Sequence, residues 1–88
     1  MRISSIETTP QFDRHYRKLS KRVKDAAEKK ESLFKADAFH PSLETHKLHG
    51  KDRDIWAFSI NKKYRIKFVF LNEGAVLFVD IGTHDIYR

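Results

Sequence analysis

The sequence predicts an α+β fold, in which an N-terminal strand and a helical hairpin precede a three-stranded antiparallel meander. Two observations support this prediction. The first half has two segments with apolar residues at helical spacing. The second half has three runs rich in Ile, Val, Phe, Tyr and Trp, separated by turn signals. We expect the helices to cover one face of a single sheet, and residues 1–88 to form one domain.

The N-terminal half divides into a short strand and two helices. Residues 2–7 alternate weakly around Ile3 and Ile6, which favours a strand. The following Thr-Thr-Pro segment, residues 8–10, is typical of a helix start with a threonine cap and a proline in the first turn. Ser20 is positioned to cap a second helix. Its apolar stripe consists of Val23, Ala26, Ala27, Leu33 and Phe34. We expect the two helices to form an antiparallel hairpin on the apolar face of the sheet.

The meander is predicted from runs at residues 53–60, 64–70 and 75–81. Residues 61–63 form the first connection, since Asn61 tolerates the left-handed backbone of a tight turn. Residues 72–74 form the second, where Gly74 suits a positive φ. Residues 39–51, punctuated by a proline and a glycine, are predicted to be irregular.

Alternation along the strands predicts one apolar and one basic face, because successive side chains point to opposite sides. The predicted core face carries Trp56, Phe58, Ile60, Tyr64, Ile66, Phe68, Phe70, Leu77, Val79 and Ile81. The opposite face is predicted to carry Arg53, Arg65, Lys67, Val69, Val76, Phe78 and Asp80.

Composition limits the possible functions. The formal charge of +6 and the pI near 9.7 favour a polyanionic partner, either nucleic acid or an acidic protein. The sequence has no cysteine, which excludes disulfides, thiolate metal sites and a thiolate nucleophile. No apolar run approaches the roughly 18 residues of a membrane span, and no signal-peptide pattern opens the chain, so we expect a cytoplasmic protein.

Three short segments, taken with the order of elements, carry a family resemblance. They are Leu-His-Gly at 48–50, Tyr-Arg-Ile at 64–66, and Ile-Gly-Thr-His-Asp-Ile-Tyr at 81–87. The chain resembles the RelE/ParE superfamily of toxins from toxin–antitoxin modules, in particular its YafQ-type and RelE-type ribonuclease branch. The resemblance implies a ribosome-dependent endoribonuclease that cuts mRNA and is held inactive by a cognate antitoxin.

The resemblance also implies roles for individual residues. Arg65 matches the middle-strand arginine that neutralises the scissile phosphate, and His84 matches the catalytic histidine of YafQ-like members. Tyr87 lies close to a C-terminal aromatic residue that orients substrate, and His46 resembles a loop histidine of that branch. YafQ carries a histidine and an aspartate around the first hairpin, where this chain has Ser59 and Lys63. The general base is therefore left unassigned.

The residues themselves support phosphodiester cleavage without a metal or another cofactor, because the 2′-hydroxyl of RNA can attack its own backbone. The fork of Arg65 suits the nonbridging phosphate oxygens, and His84 suits protonation of the leaving 5′-oxygen. Further groups are available for the base, the flanking phosphates and a splayed nucleobase. They are His46, His49 or Lys47 for the base, Arg53 and Lys67 for the phosphates, and Tyr87 for the nucleobase.

Structural alternatives remain open for several of these residues. Arg65 could form a salt bridge with Asp80 on the neighbouring strand, and both loop histidines could be ordinary surface residues. A metal site built from His46, His49, His84 and Asp85 has no recognised ligand spacing. Two other functions also stay open: a ParE-like inhibitor that binds DNA gyrase without cutting RNA, and a non-catalytic basic module that binds an acidic partner protein.

Overall fold

The computed structural model describes residues 1–49 and 54–83, which form a five-stranded mixed sheet and two α-helices. The strands are β1 (Ser5–Thr8), β2 (His46–Lys47), β3 (Trp56–Ser59), β4 (Tyr64–Phe70) and β5 (Ala75–Thr83). Their order is β1-β5-β4-β3-β2, with β1 parallel to β5 and the other neighbours antiparallel. The predicted α+β class is confirmed, and the short β2 is a strand that the sequence did not predict.

Both helices begin at the predicted caps. Helix α1 spans Pro10–Arg17, and the hydroxyl of Thr9 accepts a hydrogen bond from the amide of Phe12. Helix α2 spans Lys21–Ala36, and the hydroxyl of Ser20 accepts from the Val23 amide at 3.3 Å. These side chains satisfy amides that have no partner inside the helix, so they define where each helix starts.

The core lies between the helices and one face of the sheet. Phe34 of α2 is fully buried and stacks on Phe58 with ring centroids 4.5 Å apart. The same ring meets Phe68 edge-on at 4.9 Å, and Phe12 of α1 lies 5.4 Å from Phe78. Both helices therefore pack on the apolar face, as the sequence predicts. Within the described residues, no helix is long and apolar enough to cross a membrane.

A β-bulge interrupts the register between β4 and β5. Lys67 opposes Asp80, whereas the next residue of β4, Phe68, opposes Phe78. Val79 is therefore an extra residue on β5. A bulge of this kind shifts the alternation of side chains by one position.

The bulge overturns part of the predicted core. Val76 and Phe78 are buried in the core, whereas Leu77 and Val79 are only partly buried and lie outside the core cluster. The prediction is wrong for these four residues, because it assumed unbroken alternation along the strand. It is correct for Ile81, which follows the bulge and is buried.

The first hairpin turn forms through a side chain rather than through a left-handed residue. The Asn61 side-chain oxygen accepts hydrogen bonds from the amides of Lys63 and Tyr64, both at 2.8 Å. Such bonds make asparagine favourable in turns without a positive φ. The non-glycine positions with positive φ in the described part of the chain are Glu44, Asp54 and Glu73.

The second hairpin turn depends on Gly74, whose φ is +79° as predicted. A Cβ atom there would also lie 3.2 Å from the Ser4 hydroxyl. We expect Gly74→Ala to lower the free energy of unfolding by about 1 kcal/mol, because a left-handed L-residue costs more than the entropy it removes from the unfolded chain. Urea unfolding measures the change. Glu73→Gly is the control and should not destabilise, since Glu73 has a φ of 56°; an unchanged midpoint for Gly74→Ala would contradict the strain argument.

A groove between α1 and α2 is lined by several acidic side chains, including Glu28 and Glu31. Burial raises the pKa of Glu31 and the charge of Glu28 adds to this, while Lys35 opposes both. Folded Glu31 therefore binds its proton more tightly than the unfolded chain does. The free energy of unfolding decreases as pH rises from the ordinary pKa of the unfolded glutamate to the raised pKa of folded Glu31. We expect Glu31→Gln to raise the urea midpoint at neutral pH, with a gain that disappears in acid. The exposed Glu7→Gln control should show no gain; a pH-independent gain would contradict the assignment.

Candidate active site

Two rows of residues cross the sheet on the face opposite the core. Directly opposed residues of antiparallel strands point to the same side, so the strand pairing defines each row. One row is Ser59, Arg65 and Gly82, and the other is His46, Ala57 and Lys67. Asp80 opposes Lys67 and was predicted to lie on this face, but its carboxylate bonds to α1 instead. We call these two rows the open face. Ala57 is fully buried yet lies outside the apolar core cluster, which agrees with this placement.

Arg65 is half-buried on the open face and is held near the first hairpin turn. Its Nη1 donates to the carbonyl oxygens of Asn61 at 2.6 Å and Tyr64 at 3.1 Å. The predicted structural alternative, a salt bridge to Asp80, is not formed, because Arg65 opposes Gly82 and Asp80 bonds to α1. Within the described residues these bonds involve only Nη1, so the guanidinium retains donors for an anion.

His46 lies on β2 and therefore on the sheet, although residues 39–51 were predicted to be irregular. Its Nδ1 is 2.8 Å from the carbonyl oxygen of Glu44. Because a carbonyl oxygen only accepts, Nδ1 carries the hydrogen and Nε2 is the basic nitrogen of the neutral ring. The register places His46 and Lys67 in the same row, on either side of Ala57. The structure thus brings Arg65, Lys67 and His46 to one face.

Lys47 and His49 are placed differently from His46. Lys47 follows His46 on β2 and opposes Trp56, so its side chain leaves the sheet on the other side. Its Nζ lies 3.9 Å from the Asp54 carboxylate, and both side chains are mostly exposed, so this ion pair is weak. His49 is exposed beyond the end of β2. The structure does not bring either residue into the two rows.

Arg53, His84 and Tyr87 lie outside the described residues, so their roles stay predictions. The same holds for the metal alternative, which needs His84 and Asp85. Among residues 1–49 and 54–83, no group of three or more His, Cys, Asp or Glu side chains could hold a metal ion.

The sequence did not predict the contact between Ser59 and Glu44. Ser59 is only 5% exposed, and its hydroxyl donates to a Glu44 carboxylate oxygen at 3.2 Å. Glu44 follows the short 3₁₀ turn Pro41–Leu43 and has a φ of 52°. The contact places a carboxylate over the row that contains Arg65. No sequence pattern pairs these two residues, which are 15 positions apart.

A second unpredicted cluster ties α1 to the bulge in β5. Asp80 is buried, and its carboxylate lies 2.6 Å from Nδ1 of His15 and accepts from the Gln11 amide at 2.8 Å. The two α1 residues are one helical turn apart, so they reach the same carboxylate together. The bulge explains why Asp80 is available, since it directs this side chain toward the helix rather than toward Arg65. The contact joins residues 65 positions apart and leaves no signal in the sequence.

Solved structures of several toxins share this fold. YafQ from E. coli strain BL21(DE3) superposes with a TM-score of 0.77 at 14% identity, over 92% of this chain and 93% of that chain. A YoeB/ParE toxin from Agrobacterium tumefaciens gives 0.78 at 14% identity, over 92% and 99%. The RelBE2 toxin–antitoxin complex from Mycobacterium tuberculosis gives 0.74 at 14% identity, over 91% and 96%. No protein-family model and no curated protein matches the sequence.

Proposed function

We propose, from the RelE/YafQ-type toxin fold that this chain has, that it is the toxin of a toxin–antitoxin module and acts as a ribosome-dependent endoribonuclease. Its substrate is mRNA, and its reaction is attack of the 2′-hydroxyl on the adjacent phosphate, which needs no metal. The fold alone does not determine the activity, because one fold supports different functions. The support for this activity comes from the open face.

The observation that carries the proposal is the grouping of Arg65, Lys67 and His46 on the open face. A phosphodiester needs cationic donors for its nonbridging oxygens and groups that transfer protons. Arg65 supplies a planar fork, Lys67 a point charge one row away, and His46 an imidazole with a defined tautomer. The net charge of +6 favours association of the protein with RNA.

The proposed mechanism assigns one task to each group. Arg65 stabilises the charge that develops on the phosphate, and Lys67 and Arg53 bind flanking phosphates. His84 protonates the leaving 5′-oxygen, and Tyr87 stacks on a splayed nucleobase. His46, with His49 and Lys47 nearby in sequence, supports binding and proton transfer. The ribosome presents the message to this open surface, so naked RNA should be cut poorly.

The proposed protein partner is a cognate antitoxin encoded by the neighbouring gene. The RelBE2 structure is a toxin–antitoxin complex, and its fold similarity to this chain motivates the proposal. An acidic or amphipathic antitoxin segment that covers the open face would neutralise Arg65 and Lys67. We propose that both proteins act in the cytoplasm, where translating ribosomes are found.

The test is expression of the chain with and without the adjacent small gene, followed by primer-extension mapping of cellular transcripts. We expect growth arrest and new 5′ ends within translated message only when the chain is expressed alone. His84→Ala should relieve both effects. Transcripts that remain intact during growth arrest would contradict the ribonuclease proposal.

A ParE-like gyrase inhibitor is the second function, because the Agrobacterium tumefaciens structure named YoeB/ParE shares the fold. The same expression experiment separates the two functions. Gyrase inhibition would produce DNA breaks and filamentous cells, whereas message cleavage stops translation. A protein that binds its operon neighbour tightly but causes neither effect would be a non-catalytic binding module.

A further inference from the structure

Among residues 1–49 and 54–83, Asp80 is the one buried side chain that carries a formal charge. Its carboxylate accepts three hydrogen bonds. One oxygen accepts from Nδ1 of His15 at 2.6 Å and from the Ile81 amide at 2.8 Å, and the other accepts from the Gln11 side-chain amide at 2.8 Å. Such partners are required because burying a carboxylate without them is unfavourable. The mechanism proposed above gives this charged group no task.

The strand pairing places Asp80 beside the cations of the open face. Asp80 directly opposes Lys67, and Arg65 is its diagonal neighbour, since Arg65 opposes Gly82. Directly opposed Cβ atoms are about 4.5–5.5 Å apart and diagonal ones about 7–8 Å, both within reach of long side chains. A carboxylate turned toward the open face would therefore reach both cations. It would neutralise part of their charge and repel a phosphate.

Helix α1 directs this carboxylate away from the open face. Gln11 and His15 are one helical turn apart, so both side chains reach it from the same helix face. The helix also holds the bulge itself, because the Thr9 hydroxyl donates to the Val79 carbonyl oxygen at 2.7 Å and the Thr9 amide donates to the Phe78 carbonyl oxygen at 3.1 Å. The start of α1 therefore fixes both the backbone and the acid of the bulge.

We infer that Gln11 and His15 are positioning residues for phosphate binding: by bonding the Asp80 carboxylate to α1, they keep a negative charge off the open face. This inference rests on the proposed function for its ligand, the phosphate backbone of RNA. The two residues act through Asp80 rather than on the substrate. Within the described residues, the Arg65 guanidinium bonds to backbone carbonyl oxygens and not to a carboxylate, as the inference requires.

The experiment measures binding of a short single-stranded RNA by fluorescence anisotropy. The RNA carries 2′-O-methyl groups, which prevent attack by the 2′-hydroxyl. The double variant Gln11→Ala/His15→Ala leaves the Asp80 carboxylate without its helix partners, so it should turn toward Lys67 and Arg65. We expect the Kd to rise about tenfold, the loss typical of one hydrogen bond to a charged group. The dependence of log Kd on log salt should become shallower between about 50 and 200 mM, because fewer cations neutralise phosphates.

A rescue variant separates this charge effect from a structural one. Adding Asp80→Asn to the double variant removes the released charge and should return the Kd to within about threefold of wild type. Asp25→Asn is the matched control, because it changes the net charge equally. Asp25 is exposed, pairs with Lys21 at 3.0 Å and lies on α2, which covers the other face of the sheet. Asp25→Asn should leave the weakened binding unchanged.

Urea unfolding of every variant completes the comparison. A purely structural clamp predicts that binding decreases in step with stability and that Asp80→Asn fails to restore it; that result would overturn the inference. His15→Ala alone keeps the Gln11 bond and is the milder variant if the double variant does not fold. The same rescue by Asp80→Asn is expected there, to a smaller extent.

The remaining outcomes distinguish the inference from the proposed function. Cleavage of a defined message on programmed ribosomes is measured in parallel. A wild-type chain that binds the modified RNA but leaves ribosome-bound message intact would overturn the ribonuclease proposal alone, and the rescue would still decide the role of Gln11 and His15. A double variant that binds like wild type, or a wild-type chain that does not bind the RNA, would overturn the inference.

Discussion

Arg65→Ala should reduce single-turnover cleavage of ribosome-bound message by about 10²–10³-fold, the loss typical of removing one preorganised donor to a transition state. The guanidinium is held on the open face by bonds from Nη1 to the Asn61 and Tyr64 carbonyl oxygens. Holding the side chain in place lowers the entropy cost of binding a phosphate. In cells, the same variant should no longer arrest growth.

Arg65→Lys separates charge from geometry. Lysine keeps the positive charge but loses the planar fork, so we expect an intermediate rate. Lys63→Ala removes a cation from the adjacent turn and is the control for net charge. Urea unfolding should accompany each measurement, because the two carbonyl bonds also stabilise the turn. An Arg65→Ala protein that folds and cleaves normally would remove Arg65 from the mechanism.

Phe34→Ala should produce the largest loss of stability among single substitutions in this chain, about 3–5 kcal/mol. The ring is completely buried and contacts Phe58, Phe68 and Phe78, which lie on three different strands. Removing it leaves a cavity at the centre of the contact between α2 and the sheet. A domain of this kind has a total stability of about 5–15 kcal/mol, so much of the protein should unfold near 37 °C.

The control for Phe34 is Phe39→Ala. Phe39 contacts the rings of Trp56 and Phe70, yet it is 45% exposed, so its removal should cost clearly less. Urea denaturation followed by circular dichroism compares the two variants. Equal losses would show that the aromatic cluster around Trp56 contributes as much as the central core.

The sequence predicted the elements whose signals are local. Thr9 and Ser20 cap helices because their hydroxyls bond to amides three residues ahead, and this spacing is visible in the sequence. Gly74 marks a turn for an equally local reason, its positive φ. The apolar residues of β4 followed the predicted alternation, with Ile66 and Phe68 buried. The fold class followed from these elements.

The features that the sequence did not predict depend on distant contacts. Strand β2 has only two residues, too few for a periodic pattern, and exists because His46 and Lys47 pair with β3. The bulge at Val79 depends on a mismatch between two strands rather than on either strand alone. The Glu44–Ser59 contact likewise forms only after β3 has folded beside the 3₁₀ turn.

The bulge also determines how this chain should tolerate changes in length. The residues of β5 before Val79 pair in register with β1. The residues after Val79 pair in register with the half of β4 that carries Arg65. Deleting Val79 would place Phe78 and Ile81 two positions apart, so both would still face the core and β5 would lose only the bulge. A homologous sequence that lacks the extra residue needs a gap at this position, because an ungapped alignment would assign residues on one side of the bulge to the wrong face of the sheet.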